Sequence, residues 1–169
     1  MSSSPVLALD LDPLMDAWQS AWSGRDPRAF AAVCAPDVHY EDPVTDHPLL
    51  GPEEVGAHAG RLWSGLPDAR LESTGARLTD GRFVVAPARL LGTHRAELAG
   101  LPATGSFVVI HVVFYCELDG ARSRLWRVRA FFDAYDAAVQ VGLLPRRGTM
   151  GERALLVMRG FGLRPTRRR

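Results

Sequence analysis

Residues Val38 to Gly51 read VHYEDPVTDHPLLG. Val38, Tyr40 and Asp42 alternate with His39 and Glu41, and in a strand that alternation sends the two sets to opposite faces. Pro43 has no N–H for a strand ladder, so the strand is predicted to stop at Asp42. An apolar strand face therefore ends on a carboxylate that shares its side with a tyrosine. Two readings stay open at this point. Asp42 is either an acid set at the rim or floor of an apolar pocket, or the cap of the turn that Asp-Pro opens.

Upstream, Asp12-Pro13 reads as a helix start, with a side-chain cap and a proline where its missing N–H does no harm. Leu14, Trp18 and Trp22, with Ala17 and Ala21, share one helical face. Gly24 ends that helix. Asp26-Pro27 opens a second, with Phe30, Val33 and Cys34 inward, and Pro36 stops it. Downstream, Gly51-Pro52-Glu53-Glu54 opens a third helix whose apolar side is Val55, Ala59, Leu62 and Trp63. After Gly65 and Pro67 the pattern changes to strand runs at Arg70–Leu78, Phe83–His94, Phe107–Glu117 and Leu125–Phe132. Asp80-Gly81 and Asp119-Gly120 are turn signals between them.

Helices followed by a meander of long strands predict an α+β fold. The expected form is a cone-shaped, curved antiparallel sheet wrapped around the N-terminal helices and enclosing an apolar pocket. Residues 1–145 form this domain, and residues 146–169 a short helical extension with an arginine-rich tail.

Strand parity assigns the inner face. Trp126, Val128, Ala130 and Phe132 lie opposite Arg127 and Arg129, so they are expected to line the pocket. Val84, Ala86, Ala88 and Leu90 share a face with His94, which ends its strand on the inward side. Val108, Ile110, Val112, Phe114 and Cys116 are placed inward, which leaves His111 and Tyr115 outside. A sheet apolar on both faces is usually covered on both, so a homodimer through the outer face is expected. Asp133 stands where a helix needs its N-cap, with Asp136 three residues on.

The chain has 169 residues, 47% hydrophobic and 23% charged, with a net charge of +1. These values suit one soluble domain and give no electrostatic reason to expect nucleic acid. Every basic residue is arginine, so no lysine Schiff base can form. Cys34 and Cys116 sit in apolar stretches and read as buried reduced thiols. The opening MSSSPVLALDLDP lacks the pattern of a signal peptide, and no run is long enough to cross a membrane, so a cytoplasmic protein is expected. The five histidines show no ligand spacing, His47 and His58 falling on a loop and a helix, and no glycine-rich phosphate loop follows a strand. Neither a metal nor a cofactor is therefore expected.

Five stretches in order carry a resemblance: WSGRDPRAFAAVCAPDVHYEDP, HPLLGPEEV, GLPDARLE, GTHRAELAGLPATG and FFDAYDAAVQVGLLP. They resemble the nuclear-transport-factor-2-like superfamily, within it the SnoaL-like polyketide cyclase and ketosteroid isomerase group. That resemblance implies a cone fold and chemistry on a hydrophobic carbonyl compound. Asp42 resembles the general base of the isomerases. Their oxyanion tyrosine falls at Trp18 and their protonated aspartic acid at Val112. The acid that cyclases and epoxide hydrolases of the superfamily carry on the last strand falls at Ala130. The group that remains is Asp42 with Tyr40, and His94 as its expected neighbour. Trp18, Trp63, Val112, Trp126, Val128, Ala130 and Phe132 are the expected substrate-binding set.

The expected function is cyclisation or isomerisation of a polyketide- or steroid-like carbonyl compound through an enolate. The alternatives are a non-catalytic ligand-binding or accessory protein on the same fold, or an epoxide-opening enzyme.

Overall fold

The computed structural model describes residues 11–159. The opening segment and the arginine-rich tail lie outside the described residues. Helix α1 spans Asp12–Ser23, a tight helical turn Pro27–Ala29, α2 Phe30–Val33, β1 Cys34–Glu41, β2 Leu49–Leu50 and α3 Gly51–Gly65. Then follow β3 Arg70–Ser73, β4 Leu78–Thr79, β5 Phe83–Thr93, β6 Phe107–Leu118, β7 Leu125–Phe132, α4 Ala134–Gln140 and α5 Met150–Met158. The fold is α+β, with one curved, unclosed sheet ordered β2-β1-β7-β6-β5-β3 and β4 added on β5.

The sheet is mixed, not antiparallel throughout as the sequence suggested: β1 runs parallel to β7, and the other pairs are antiparallel. The parallel pair arises because α3 and the whole meander lie between β1 and β7 in sequence, a crossover rather than a hairpin. The longest ladder joins β5 to β6, from Phe83↔Glu117 to Thr93↔Phe107.

Three further elements differ from the sequence reading, two for a local reason and one through a contact across the sheet. Asp12 is the first residue of α1 rather than its cap, and its carboxylate and carbonyl oxygens accept from the Arg77 guanidinium at 2.9 and 3.0 Å. Strand β1 begins at Cys34, ahead of Pro36, because α2 is a single turn that ends at Val33. The run Arg70–Leu78 is split into β3 and β4. Pro87 of β5 faces that break: its carbonyl accepts from the Thr74 N–H at 3.1 Å, so the edge that would need its missing N–H is the one where β3 leaves and β4 has yet to begin.

The core lies between the helices and the concave face. Trp18 makes edge-to-face contacts with Trp22, Phe30 and Phe114 at centroid distances of 5.8, 5.5 and 5.6 Å. Val38, Val55, Ala59, Val84, Val108, Leu125 and Cys116 close the space around these rings. On the convex face Phe107, Val113, Tyr115 and Phe131 are exposed, and Tyr115 stacks on Phe83 at 5.6 Å. Beyond Phe132, where β7 stops pairing with β6, the Gln140 side chain takes the place of a strand. It accepts from the Val109 N–H at 2.7 Å and donates to the Val109 carbonyl at 2.8 Å.

Candidate functional site

Strand β1 buries Val38 and Tyr40 and turns His39 outward, as its alternation dictates. It ends at Glu41, and the next residue, Asp42, is at once the turn cap and the neighbour of the tyrosine. Asp42 Oδ1 accepts the backbone N–H groups of Val44 and Thr45 at 2.9 and 3.0 Å, an Asx turn after the strand. Oδ2 accepts the Tyr40 hydroxyl at 2.9 Å and is bonded to His58 Nε2 at 2.7 Å. A carboxylate offers about four lone-pair directions, and here all of them are taken. Its side chain is 4% exposed, that of His58 14%.

His58 comes from α3, sixteen residues further on, and helical spacing sets it between Val55 and Leu62 on the apolar side. Its Nδ1 lies 3.2 Å from the Arg61 guanidinium. A guanidinium has no acceptor, so Nδ1 accepts, and Nε2 carries the proton donated to Asp42. The imidazole is thus fixed in one tautomer, its carboxylate inside and its lone pair towards the rim. Tyr40 and Trp22 flank the ring at centroid distances of 5.7 and 6.2 Å.

Burial by itself pushes the Asp42 carboxyl upward. The His58 hydrogen bond, the Val44 N–H, the His58 charge and the Tyr40 hydroxyl together outweigh it and hold the carboxyl below its ordinary value of 3.8. Tyr40 is driven far above its usual range, first by burial and then by the Asp42 charge and hydrogen bond, so it remains a neutral donor.

His94 does not join this group. It is fully buried at the end of β5, and its Nδ1 is 3.0 Å from the Thr104 hydroxyl. The last residue of an inward face is not near the first strand, because β7 and β6 stand between β5 and β1. Trp18, Trp63, Val112, Val128 and Ala130 are buried in the core, and Phe132 packs against it. Trp126 departs from the expected inner wall. The β6–β7 register passes from Glu117↔Arg127 to Leu118↔Leu125, a bulge that gives β7 one extra residue. Leu125 is carried inward, while Trp126 stays partly exposed, donating to Asp37 at 3.0 Å under the Arg127 guanidinium. His58 has no metal-ligand spacing to mark it in the sequence. The signal that finds it is its place on the apolar stripe of α3.

Two grooves open outside the cone. One of about 660 Å³ lies between α4 and β6, against Ile110, His111, Tyr135 and Arg146. The other, about 670 Å³, crosses the convex face at His39, Tyr115, Arg127 and Phe131. Among the described residues no three His, Cys, Asp or Glu side chains are grouped so as to hold a metal ion. No described helix is long and apolar enough to cross a membrane. Both cysteines are buried free thiols, and burial pushes Cys34 up to about 12, which leaves it a poor nucleophile.

Residues 13–141 match the SnoaL-like polyketide cyclase family. No curated protein matches the chain. Among solved structures, the chain is similar to a candidate SnoaL-like polyketide cyclase from Jannaschia sp. CCS1, with 19% identity, 86% of this chain and 99% of that one covered, and a TM-score of 0.70. TsrD from Streptomyces laurentii gives 20% identity, coverage of 79% and 96%, and a TM-score of 0.68. IdmH from Streptomyces antibioticus, a candidate polyketide cyclase, gives 18% identity, coverage of 79% and 99%, and a TM-score of 0.67. At these identities the likeness establishes a shared fold.

Proposed function

This chain belongs to the SnoaL-like polyketide cyclase family, and we propose that it is an acid/base enzyme that moves a proton beside the carbonyl of a hydrophobic, polyketide-like compound. The observation that carries the reading is the 2.7 Å bond between His58 Nε2 and Asp42 Oδ2 in a nearly closed setting. A carboxylate that holds one imidazole nitrogen leaves the other as a base and stabilises the imidazolium that forms. His58 is the proton carrier, and Asp42, with its lone pairs occupied, is the positioning residue.

In the proposed step Arg61 yields Nδ1 to the substrate. A C–H proton next to the carbonyl passes to Nδ1, and the C–H electron pair moves onto the carbonyl oxygen as an enolate. The proton then returns, either to another carbon in an isomerisation or to the alkoxide formed when the enolate carbon attacks a second carbonyl. Nothing is oxidised or reduced.

The test is proton exchange in D2O with 2-tetralone, a bicyclic ketone with an acidic C–H, followed by NMR. The parent protein is expected to exchange it well above buffer, and His58→Gln to lose most of that rate while keeping its fold. Equal rates in the two proteins would overturn the assignment. The saturated bonding of Asp42 also favours a second reading, a ligand-binding protein without turnover, in which ketones bind and no exchange occurs.

The convex face is proposed to seat a second copy of this chain. Val113, Tyr115 and Phe131 form an exposed apolar centre. Around them run the pairs Arg82–Glu117, Arg89–Glu72 and Arg129–Glu41. A rim that carries both signs is complementary to itself under a two-fold axis.

A further inference from the structure

Charge is divided unevenly along this chain. Residues 146–169 hold eight arginines and one acid, Glu152, a net of +7. Residues 1–145 hold twelve arginines and eighteen acids, a net of −6. The near-neutral whole is thus a basic segment attached to an acidic body. That segment lies beyond residues 13–141, the part that matches the family, so the shared fold does not account for it. Its described helix is α5. Thr149 caps it, accepting the Glu152 N–H at 3.4 Å, and Glu152 accepts the Gly148 N–H at 2.6 Å. Tyr135 holds it to the body, its hydroxyl donating to the Pro145 carbonyl at 2.9 Å with Glu152 Oε1 at 3.4 Å.

No residue of α5 is buried, and only Glu152 and Leu155, on the side towards Tyr135, are half-buried. Met150, Ala154, Val157 and Met158, at i, i+4, i+7 and i+8, share the other face. Met150 and Met158 are 85% and 78% exposed. A stripe at this spacing is how a helix buries one side, and among the described residues nothing covers it. In the sequence Arg164, Arg167, Arg168 and Arg169 follow within eleven residues of Met158.

We infer that residues 146–169 are a docking element for an anionic lipid surface, with the α5 stripe among the acyl chains and the arginines against the headgroup phosphates. Stable attachment to a membrane surface takes two signals, apolar insertion and basic charge, and this segment carries both. Guanidinium suits the second, because its paired N–H groups match phosphate oxygens. Nucleic acid would use the charge and leave the stripe in water. A protein groove would clasp one shaped face, whereas here Leu156 is exposed on another side of α5 and Leu143 on the loop before it. A fluid layer takes up such a surface, and the unbranched methionines adapt to it. The acidic body is repelled by the same lipids, so the basic segment is the point of contact.

The experiment is flotation of the full chain with vesicles of phosphatidylcholine, alone or mixed with phosphatidylglycerol. Two variants separate the two signals. Arg167→Gln, Arg168→Gln and Arg169→Gln together remove charge, and Met150→Gln with Met158→Gln removes apolar surface at unchanged charge. Soluble polyglutamate and duplex DNA are the contrasting anions.

The parent protein is expected to float with the mixed vesicles, to stay behind with phosphatidylcholine alone, and to be released as salt is raised. The arginine variant should bind about a hundredfold more weakly, near fivefold for each charge removed. The methionine variant should lose at least about tenfold. Both should melt as the parent does, which separates lost docking from lost folding. A parent that leaves both kinds of vesicle alone overturns the inference. Flotation that the methionine variant retains in full overturns it too, because the stripe then has no part in the contact. Binding to polyglutamate or DNA without flotation overturns it in favour of an acidic macromolecule.

Discussion

His58 and Asp42 stand sixteen residues apart in the chain and meet at 2.7 Å, with Tyr40 bonded to the same carboxylate oxygen at 2.9 Å. The contact joins the end of the first strand to the middle of α3. It exists because Pro43 ends the strand with Asp42 still on the inward parity, and because α3 turns His58 towards that point.

Removing the carboxylate leaves two turn N–H groups, a hydroxyl and an imidazole without their acceptor. Asp42→Ala is expected to cost about 2–3 kcal/mol and Tyr40→Phe about 1 kcal/mol, since hydrogen bonds to charged groups exceed neutral ones. Urea unfolding of both variants measures this. Equal losses would show that the turn N–H groups and His58 add nothing beyond the Tyr40 bond to Oδ2.

The pH dependence follows from the depressed carboxyl. The unfolded chain binds this proton at higher pH than the folded one, so the contribution is whole above the unfolded value and is lost as pH falls through the folded one. The stability gap between the parent and Asp42→Asn should therefore close on acidification towards and below 3.8. Parallel thermal melts in acid and neutral buffer measure it, and a gap that widens in acid would contradict the sign.

Gly56 lets α3 touch the turn at Pro27, where an added Cβ would run into the Pro27 carbonyl. Gly56→Ala is expected to destabilise by about 1–3 kcal/mol, the usual range for overpacking, despite alanine's better helix propensity. Denaturant titration gives the value. A neutral or stabilising result would mean that the two backbones can part freely.

Val113 and Phe131 face each other across β6 and β7 on the convex surface. Val113→Glu combined with Phe131→Glu should turn a dimer into a monomer by light scattering, with the fold kept, because neither side chain enters the core. A parent protein that is already monomeric at tens of micromolar would contradict the pairing.

Much of this fold was legible because period and punctuation agreed. Residues 125–132 formed the strand that their pattern predicted, and Gly51-Pro52 opened α3. What parity alone missed were long-range effects. A bulge opposite Glu117 moved Trp126 off the inner wall and Leu125 onto it. Pro87 divided a run that lies in another part of the sequence. For the site, Tyr40 and Asp42 were legible from one strand. Their third member was not, because a single histidine on an apolar helix stripe carries no local sign of the strand end it meets sixteen residues away. His94 has the inward parity, but on a strand too far across the sheet to reach Asp42.

The most direct measurement is a double-mutant cycle on deuterium exchange into 2-tetralone, using the parent, Asp42→Asn, His58→Gln and the double variant. If Asp42 acts through His58, the double variant exchanges no more slowly than His58→Gln alone, as residues that work as a unit are strongly non-additive. If the two losses simply multiply, Asp42 and His58 act independently, and the paired proton carrier is wrong.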